Sequence, residues 1–127
     1  EKFFLAKFMG LEFEYLPAGA ADSDKTHLKI TFEVNEMLMN PQGSLHGGVM
    51  AAVMDISMGH LLNKTAGMGA TIEMKIQYLR PLRQGVVTCE GSFIKKGRSL
   101  SFMESRLSGS DGKLAAIATA TWKMPDA

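Results

Sequence analysis

Cysteine is almost missing from these 127 residues. The single one, Cys89, has no internal partner, so no disulfide framework can exist and a reducing compartment, the cytoplasm, is expected. No large excess of either charge is present: 14 Lys and Arg against 13 Asp and Glu leave +1, too weak a field to argue for nucleic acid. No apolar run approaches the roughly 18 residues that a membrane helix needs, and no secretory-signal pattern occurs. No cluster of His, Cys and carboxylate has metal-site spacing, so neither metal nor cofactor is expected. Repeats, linkers and low-complexity tracts are absent as well, which leaves one domain over residues 1–127. The remaining composition, 46% hydrophobic and 21% charged, is that of an ordinary globular chain. A chain of this length can bury about two-thirds of its unfolded surface.

The pattern along the chain predicts an α+β domain. Residues 2–9 read as a short amphipathic helix ending at Gly10, and "LEFEYL" alternates as a strand stopped by Pro17. Residues 18–26 are turn-like, and "HLKITFEV" puts Leu28, Ile30, Phe32 and Val34 on one strand face. A loop over 35–44 holds Asn40, Pro41, Gln42 and Gly43. After an apolar helix, "ATIEMKIQYL" alternates, with Ile72, Met74, Ile76 and Tyr78 on one side and Thr71, Glu73, Lys75 and Gln77 on the other. Pro81 ends it. "GVVTCEGSFIKK", "RSLSFMESRLS" and "KLAAIATATWKM" supply three more strands, with turns at Gly97 and at "GSDG", 109–112. Strands with one segregated helix make an antiparallel sheet packed on one face.

The stretch "NPQGSLHGGVMAAVMDISMGHLL" carries the chemistry. On a helical wheel Val49, Met50, Val53, Ser57 and His60 lie opposite Asp55, and this bulky face is expected to pack on the sheet. Gly48, Ala51, Ala52 and Gly59 share the side of Asp55, with Met58 at its edge and Leu62 a turn beyond. That small stripe faces another chain or a ligand. A buried carboxylate without partners costs several kcal/mol, so Asp55 has either a structural hydrogen-bond partner or a task. "HGG", 46–48, puts two glycines at the helix start, where unpaired N–H groups and the dipole favour negative charge. Such donors can hold the oxyanion of an attacked carbonyl; a plain loop-to-helix turn is the bland alternative. Asp55 follows Gly47 by eight residues, roughly 12 Å along one helix. One helix cannot easily present both to one carbonyl. Two antiparallel copies can, which makes an isologous dimer with two composite sites the expectation.

Asn40, "GSLHGGVMAAVMD", "ATIEMKIQYLRP", "GRSLSFMESRLS" and "DGKLAAIATATW" resemble the hotdog-fold thioesterases of the phenylacetate-degradation type, over about residues 28–122. The resemblance implies a long helix wrapped by an antiparallel sheet, and dimers that pair into homotetramers. It implies hydrolysis of acyl-CoA thioesters, with aromatic acyl groups favoured. By matching position, Asp55 would be general base or nucleophile, and the Gly47 N–H would polarise the thioester carbonyl, with Gly48 leaving room for the ligand. Asn40 would orient water or substrate from the partner loop, His46 would support the loop or touch the thioester, and Thr71 would hold water. Simple alternation, however, puts Thr71 beside Glu73 on the polar face. Gly59 stands where some relatives carry Ser or Thr.

Lys95, Lys96 and Arg98 flank the Gly97 hairpin, with Arg80 and Arg83 near the preceding strand end. These are a solvated turn or, for a CoA thioester, phosphate partners, with Lys96, Arg98 and Arg80 the candidates. Met50, Met54, Met58, Met68 and Met74 offer an adaptable apolar wall or simple core filling. His27, His60 and Trp122 read as structural, and Cys89 lacks a base beside it. A hotdog dehydratase or hydratase and a non-catalytic acyl-CoA binder are the alternative readings; the first typically needs a differently spaced His and acid, the second has no need of Asp55.

Overall fold

The computed structural model describes residues 4–17 and 26–125. A short helix α1, Phe4–Phe8, precedes strands β1, Glu12–Leu16, and β2, His27–Glu33. A single 3-10 turn, Glu36–Leu38, leads to the long helix α2, Gly47–Ala66. Then come β3, Ala70–Tyr78, β4, Val86–Lys95, β5, Leu100–Ser108, and β6, Leu114–Lys123. The turn expected at 18–26 lies outside the described residues apart from Thr26, which is buried.

All six strands form one antiparallel sheet in the order β1-β2-β4-β5-β6-β3, wrapped around α2. This is the α+β hotdog arrangement. The period-2 pattern holds where it was clearest: Leu28, Ile30 and Phe32 are buried and face the helix. No helix among the described residues is long and apolar enough to cross a membrane.

The helix face on the sheet is centred on the expected Met50, Val53 and Ser57 but is wider than the wheel suggests and shifted at its edges. Met50, Val53, Met54, Ser57, Met58, Leu61 and Leu62 are buried, while Val49 and His60 are only half-buried. Met58 and Leu62, expected beside Asp55 on the small stripe, belong to the core. The sheet curls around more than one stripe, so residues at both edges of the expected face are covered. Met50, Met54 and Met58 are thus core filling, whereas Met68 is exposed and Met74 half-buried. Nor is the helix enclosed: Ala51, Ala52, Asp55, Ile56 and Gly59 are all half-buried in the protomer.

Helix and sheet approach closely at Ser57 and Gly91, where an added β-carbon on Gly91 would lie 2.5 Å from the Ser57 carbonyl oxygen. A small polar cluster fills the contact. Ser57 Oγ donates to the Met54 carbonyl oxygen at 2.7 Å and lies 2.8 Å from Ser105 Oγ, which is 3.2 Å from Cys89 Sγ. Burial pushes the Cys89 thiol up to about 11. It is a core group and not a nucleophile. Because this folded-state value lies above the ordinary 9.0, the native chain holds the proton longer than the unfolded chain, and stability falls as pH rises through that window. Denaturant unfolding at about pH 8 and about pH 10.5 should show a drop in stability for wild type that Cys89→Ala largely removes.

Candidate active site

The residues before α2 form a tightly bonded loop. Asn40 Oδ1 accepts from the backbone N–H groups of Gln42 and Ser44, both at 3.1 Å, and Asn40 Nδ2 donates to Ser44 Oγ at 3.0 Å. Asn and Asp favour such turns because their side chains bond the backbone a few residues on. Asn40 therefore shapes its own loop. The loop is bolted down where Leu45 N–H donates to the Leu82 carbonyl (2.7 Å) and His46 N–H to the Leu38 carbonyl (2.8 Å).

His46 caps α2 in extended backbone conformation, its Nδ1 accepting from Gly48 N–H at 2.9 Å. Accepting there requires a neutral imidazole with its proton on Nε2. A β-carbon on Gly48 would stand 3.2 Å from that nitrogen, so glycine leaves space for the cap. Gly47 meets no such obstacle; its added β-carbon would sit 3.6 Å from the Tyr78 ring, an ordinary contact. Tyr78 O–H donates to the Gly47 carbonyl oxygen at 2.8 Å. The Gly47 N–H has no acceptor among the described residues. It is a free first-turn donor at the positive end of a 20-residue helix.

Asp55 lies on the flank of α2 toward β3, where Thr71 Oγ1 donates to its Oδ1 at 2.8 Å. Alternation had put Thr71 on the opposite face, and a β-bulge accounts for the difference. Thr71 pairs with Trp122 but Glu73 pairs with Thr121, so Ile72 is the extra residue. The insertion returns Thr71 to the helix side and leaves Ile72 55% exposed instead of on the inner face with Met74 and Ile76. Glu73 points the other way and accepts from Thr121 Oγ1 at 2.9 Å.

One turn beyond Asp55, Gly59 faces Trp122. A β-carbon there would stand 2.8 Å from Trp122 Cη2, which leaves no room for the Ser or Thr of some relatives. Trp122 is buried, and its Nε1 is the one buried side-chain nitrogen or oxygen without a hydrogen-bond partner among the described residues.

The basic candidates do not gather within one protomer. Arg80 N–H bonds the Ala115 carbonyl near the start of α2, and its guanidinium pairs with Asp111 at 2.9 Å. Backbone hydrogen bonding from Lys113, with Arg80 adding to it, holds the Asp111 carboxyl below the usual range. Arg80, Arg83, Gln84 and Ser110 line a shallow cleft of about 180 Å³ there. Lys96 and Arg98 sit at the far end, in the turn where Ser99 accepts from Met124 N–H. Lys96 Nζ lies over the Phe93 ring at 5.4 Å, and Arg98 is exposed. His27 stands 3.7 Å from Glu90, and His60 stacks on Phe13 with centroids 4.9 Å apart. Burial lowers the pKa of His60.

One helix thus carries a free amide with its His46 and Tyr78 supports, and a carboxylate held by Thr71. Alternation sets Tyr78 on the same side of its strand as Met74 and Ile76 and gives no sign that it reaches the helix start. Its partnership with Gly47 joins residues 31 apart in sequence.

A long helix wrapped by a six-stranded antiparallel sheet defines the hotdog fold, and Asp55 and the Gly47 amide lie on that helix. A family model described as the thioesterase superfamily matches residues 42–116, and the chain belongs to that family, with the hotdog fold. It is a thioester hydrolase. The chain is 32% identical over 118 residues to a candidate esterase of Saccharolobus solfataricus, spanning 91% of this chain and 73% of that protein. It is 27% identical over 118 residues to the medium/long-chain acyl-CoA thioesterase YigI of Salmonella typhimurium, spanning 78% of this chain and 76% of that one. Among solved structures, a candidate thioesterase of Ralstonia eutropha, related to phenylacetic acid degradation, superposes with a TM-score of 0.81 at 25% identity, covering 94% of this chain and 89% of that chain.

The fit of Trp122 against α2 has a measurable consequence. Gly59→Ser should lower the unfolding free energy by about 1–3 kcal/mol through overpacking. A smaller side chain at 122, in the pair Gly59→Ser with Trp122→Leu, should cost less than the two single losses added together in a denaturant-unfolding cycle.

Proposed function

We propose that this protein hydrolyses acyl-CoA thioesters to the free acid and coenzyme A, at two identical sites shared across a homodimer. One observation carries the reading. Asp55, held by Thr71 on the uncovered flank of α2, stands roughly 12 Å from the free Gly47 N–H of its own helix. A base must come within about 3 Å of its target or act through one water, so the two groups serve one carbonyl only when a second α2 runs antiparallel to the first. The half-buried small residues on that flank permit close helix approach. The nine-residue edge strand β3, exposed along most of its length, gives the partner a second element to cover.

In this site Asp55 takes a proton from water as the water attacks the thioester carbonyl. The partner's Gly47 N–H receives the developing oxyanion, and coenzyme A leaves as thiolate. Direct attack by Asp55, giving an acyl-enzyme anhydride that water then cleaves, is the alternative role of the same carboxylate. Thr71 fixes the Asp55 carboxylate and stands beside the water. Asn40 and His46 hold the loop against the thioester, and Gly48 keeps that approach open.

Antiparallel pairing also arranges the cations. The end of one helix at Ala66 extends about 16 Å beyond its own Asp55, so its Lys96 and Arg98 turn lies further out along the path of a pantetheine arm. Arg80 of the other protomer stands at the helix start. Charge-assisted contacts from these groups suit the phosphates of coenzyme A. Aromatic acyl groups remain the preferred substrates on the phenylacetate-branch resemblance. The likeness to YigI makes medium and long chains the comparison set. Pairing of dimers into homotetramers rests on the same resemblance, and a cytoplasmic location suits a buried free thiol.

Asp55→Asn should keep the fold and the dimer and lower kcat/KM by about 100-fold or more in a thiol-release assay over an acyl-CoA panel. Full activity in that variant, or in a strictly monomeric enzyme, defeats the reading; a wild type that binds acyl-CoA without turnover favours the binding-module alternative. Arg98→Glu should raise KM severalfold with little change in kcat, read from initial rates.

A further inference from the structure

Two adjacent glycines are a poor foundation for an oriented donor, because each visits conformations closed to other residues. Gly47 and Gly48 are nevertheless pinned from two sides. Tyr78 O–H holds the Gly47 carbonyl at 2.8 Å, and His46 Nδ1 holds the Gly48 N–H at 2.9 Å. That carbonyl and that N–H are the two ends of a single planar peptide unit, so the pair of bonds fixes its plane. The preceding peptide is held as well: the His46 carbonyl accepts from Val49 N–H at 2.9 Å and Met50 N–H at 3.0 Å. What these bonds leave unpaired is the Gly47 N–H.

We infer that Tyr78 is a positioning residue for thioester hydrolysis: by clamping the Gly47–Gly48 peptide it holds the Gly47 torsions that join this unit to the His46–Gly47 peptide, so that the N–H of that preceding unit is aimed before substrate arrives. The clamp rests on the proposed role of that N–H as oxyanion donor. It also distinguishes the two glycines: the Gly48 N–H is spent on His46, and the Gly47 N–H is free. The fold supplies Tyr78 by ordinary means. It lies on the inner face of β3 two residues after Ile76, opposite the small buried Ala116, which leaves space for the ring to lean over the helix start. At 52% exposed in the protomer, Tyr78 contributes little to the core, so its hydroxyl can be removed without dismantling the fold. A preorganised donor acts on the transition state more than on the bound substrate, so loss of the clamp reads out in kcat.

The test uses Tyr78→Phe, with Tyr78→Leu as a second variant that also lacks the hydroxyl, each confirmed as folded by thermal unfolding. Kinetics with an acyl-CoA should show kcat lowered about tenfold with KM within about twofold. In an Asp55→Asn background, which retains bound thioester, the infrared carbonyl band of the acyl-CoA should lie below its position in water and move back toward it when Tyr78→Phe is added. A shifted band that Tyr78→Phe leaves in place, with kcat unchanged, overturns the clamp alone. A loss confined to KM does the same. A band already at the free-thioester position with Tyr78 intact removes the donor role of Gly47, and the clamp falls with it.

Discussion

Helix and sheet meet at Ser57 and Gly91 with no space for a β-carbon between them. That contact sets the depth and rotation of α2. With Ser57 against β4, the helix residues a turn to either side, Val53, Met54 and Leu61, have nowhere to go but the core. Asp55 is then carried to the flank, toward β3 and Thr71. The same rotation presents Gly59 to Trp122. A core contact made of a serine carbonyl and a glycine thereby decides where the acid stands.

The Gly47 amide and the Asp55 carboxylate are kept apart because a straight helix is rigid. Amide donor and carboxylate sit on one rod at a separation that no side-chain motion closes, and the rod leaves one flank uncovered. Under the proposed function, placing the two groups on one helix makes catalysis depend on a second copy of it. Each group is held in advance: Thr71 restrains the acid, while His46 and Tyr78 restrain the amide. Preorganisation of this kind lets polar groups act on a developing charge without reorganising at the moment of reaction.

Much of the architecture was legible along the chain. The alternation of β2 and the turns at Gly97 and 109–112 match the observed elements. So does the placing of "HGG" at the helix start, because local backbone preferences and the inward-outward pleat act over a few residues. The helix face was misjudged at its margins, since a wheel assumes a flat partner and the sheet is curved. Alternation alone puts Thr71 on the polar side, against the resemblance, because a bulge breaks the period of two and no residue between Ala70 and Glu73 announces one. Gly59 looked like a missing hydroxyl in the sequence; in the fold it is the place where Trp122 packs.

By itself the sequence determined the periodicities, the turns, the glycine pair at the helix start and the lone acid eight residues after its first glycine. These are matters of local chemistry and count. Tertiary structure alone decided that Thr71 reaches Asp55 and that Tyr78 reaches Gly47. It also decided that Arg80 and Arg98 lie at opposite ends of one protomer. Each of those outcomes depends on strand register and on the rotation of α2 within the sheet, which are set by packing between residues far apart in the chain.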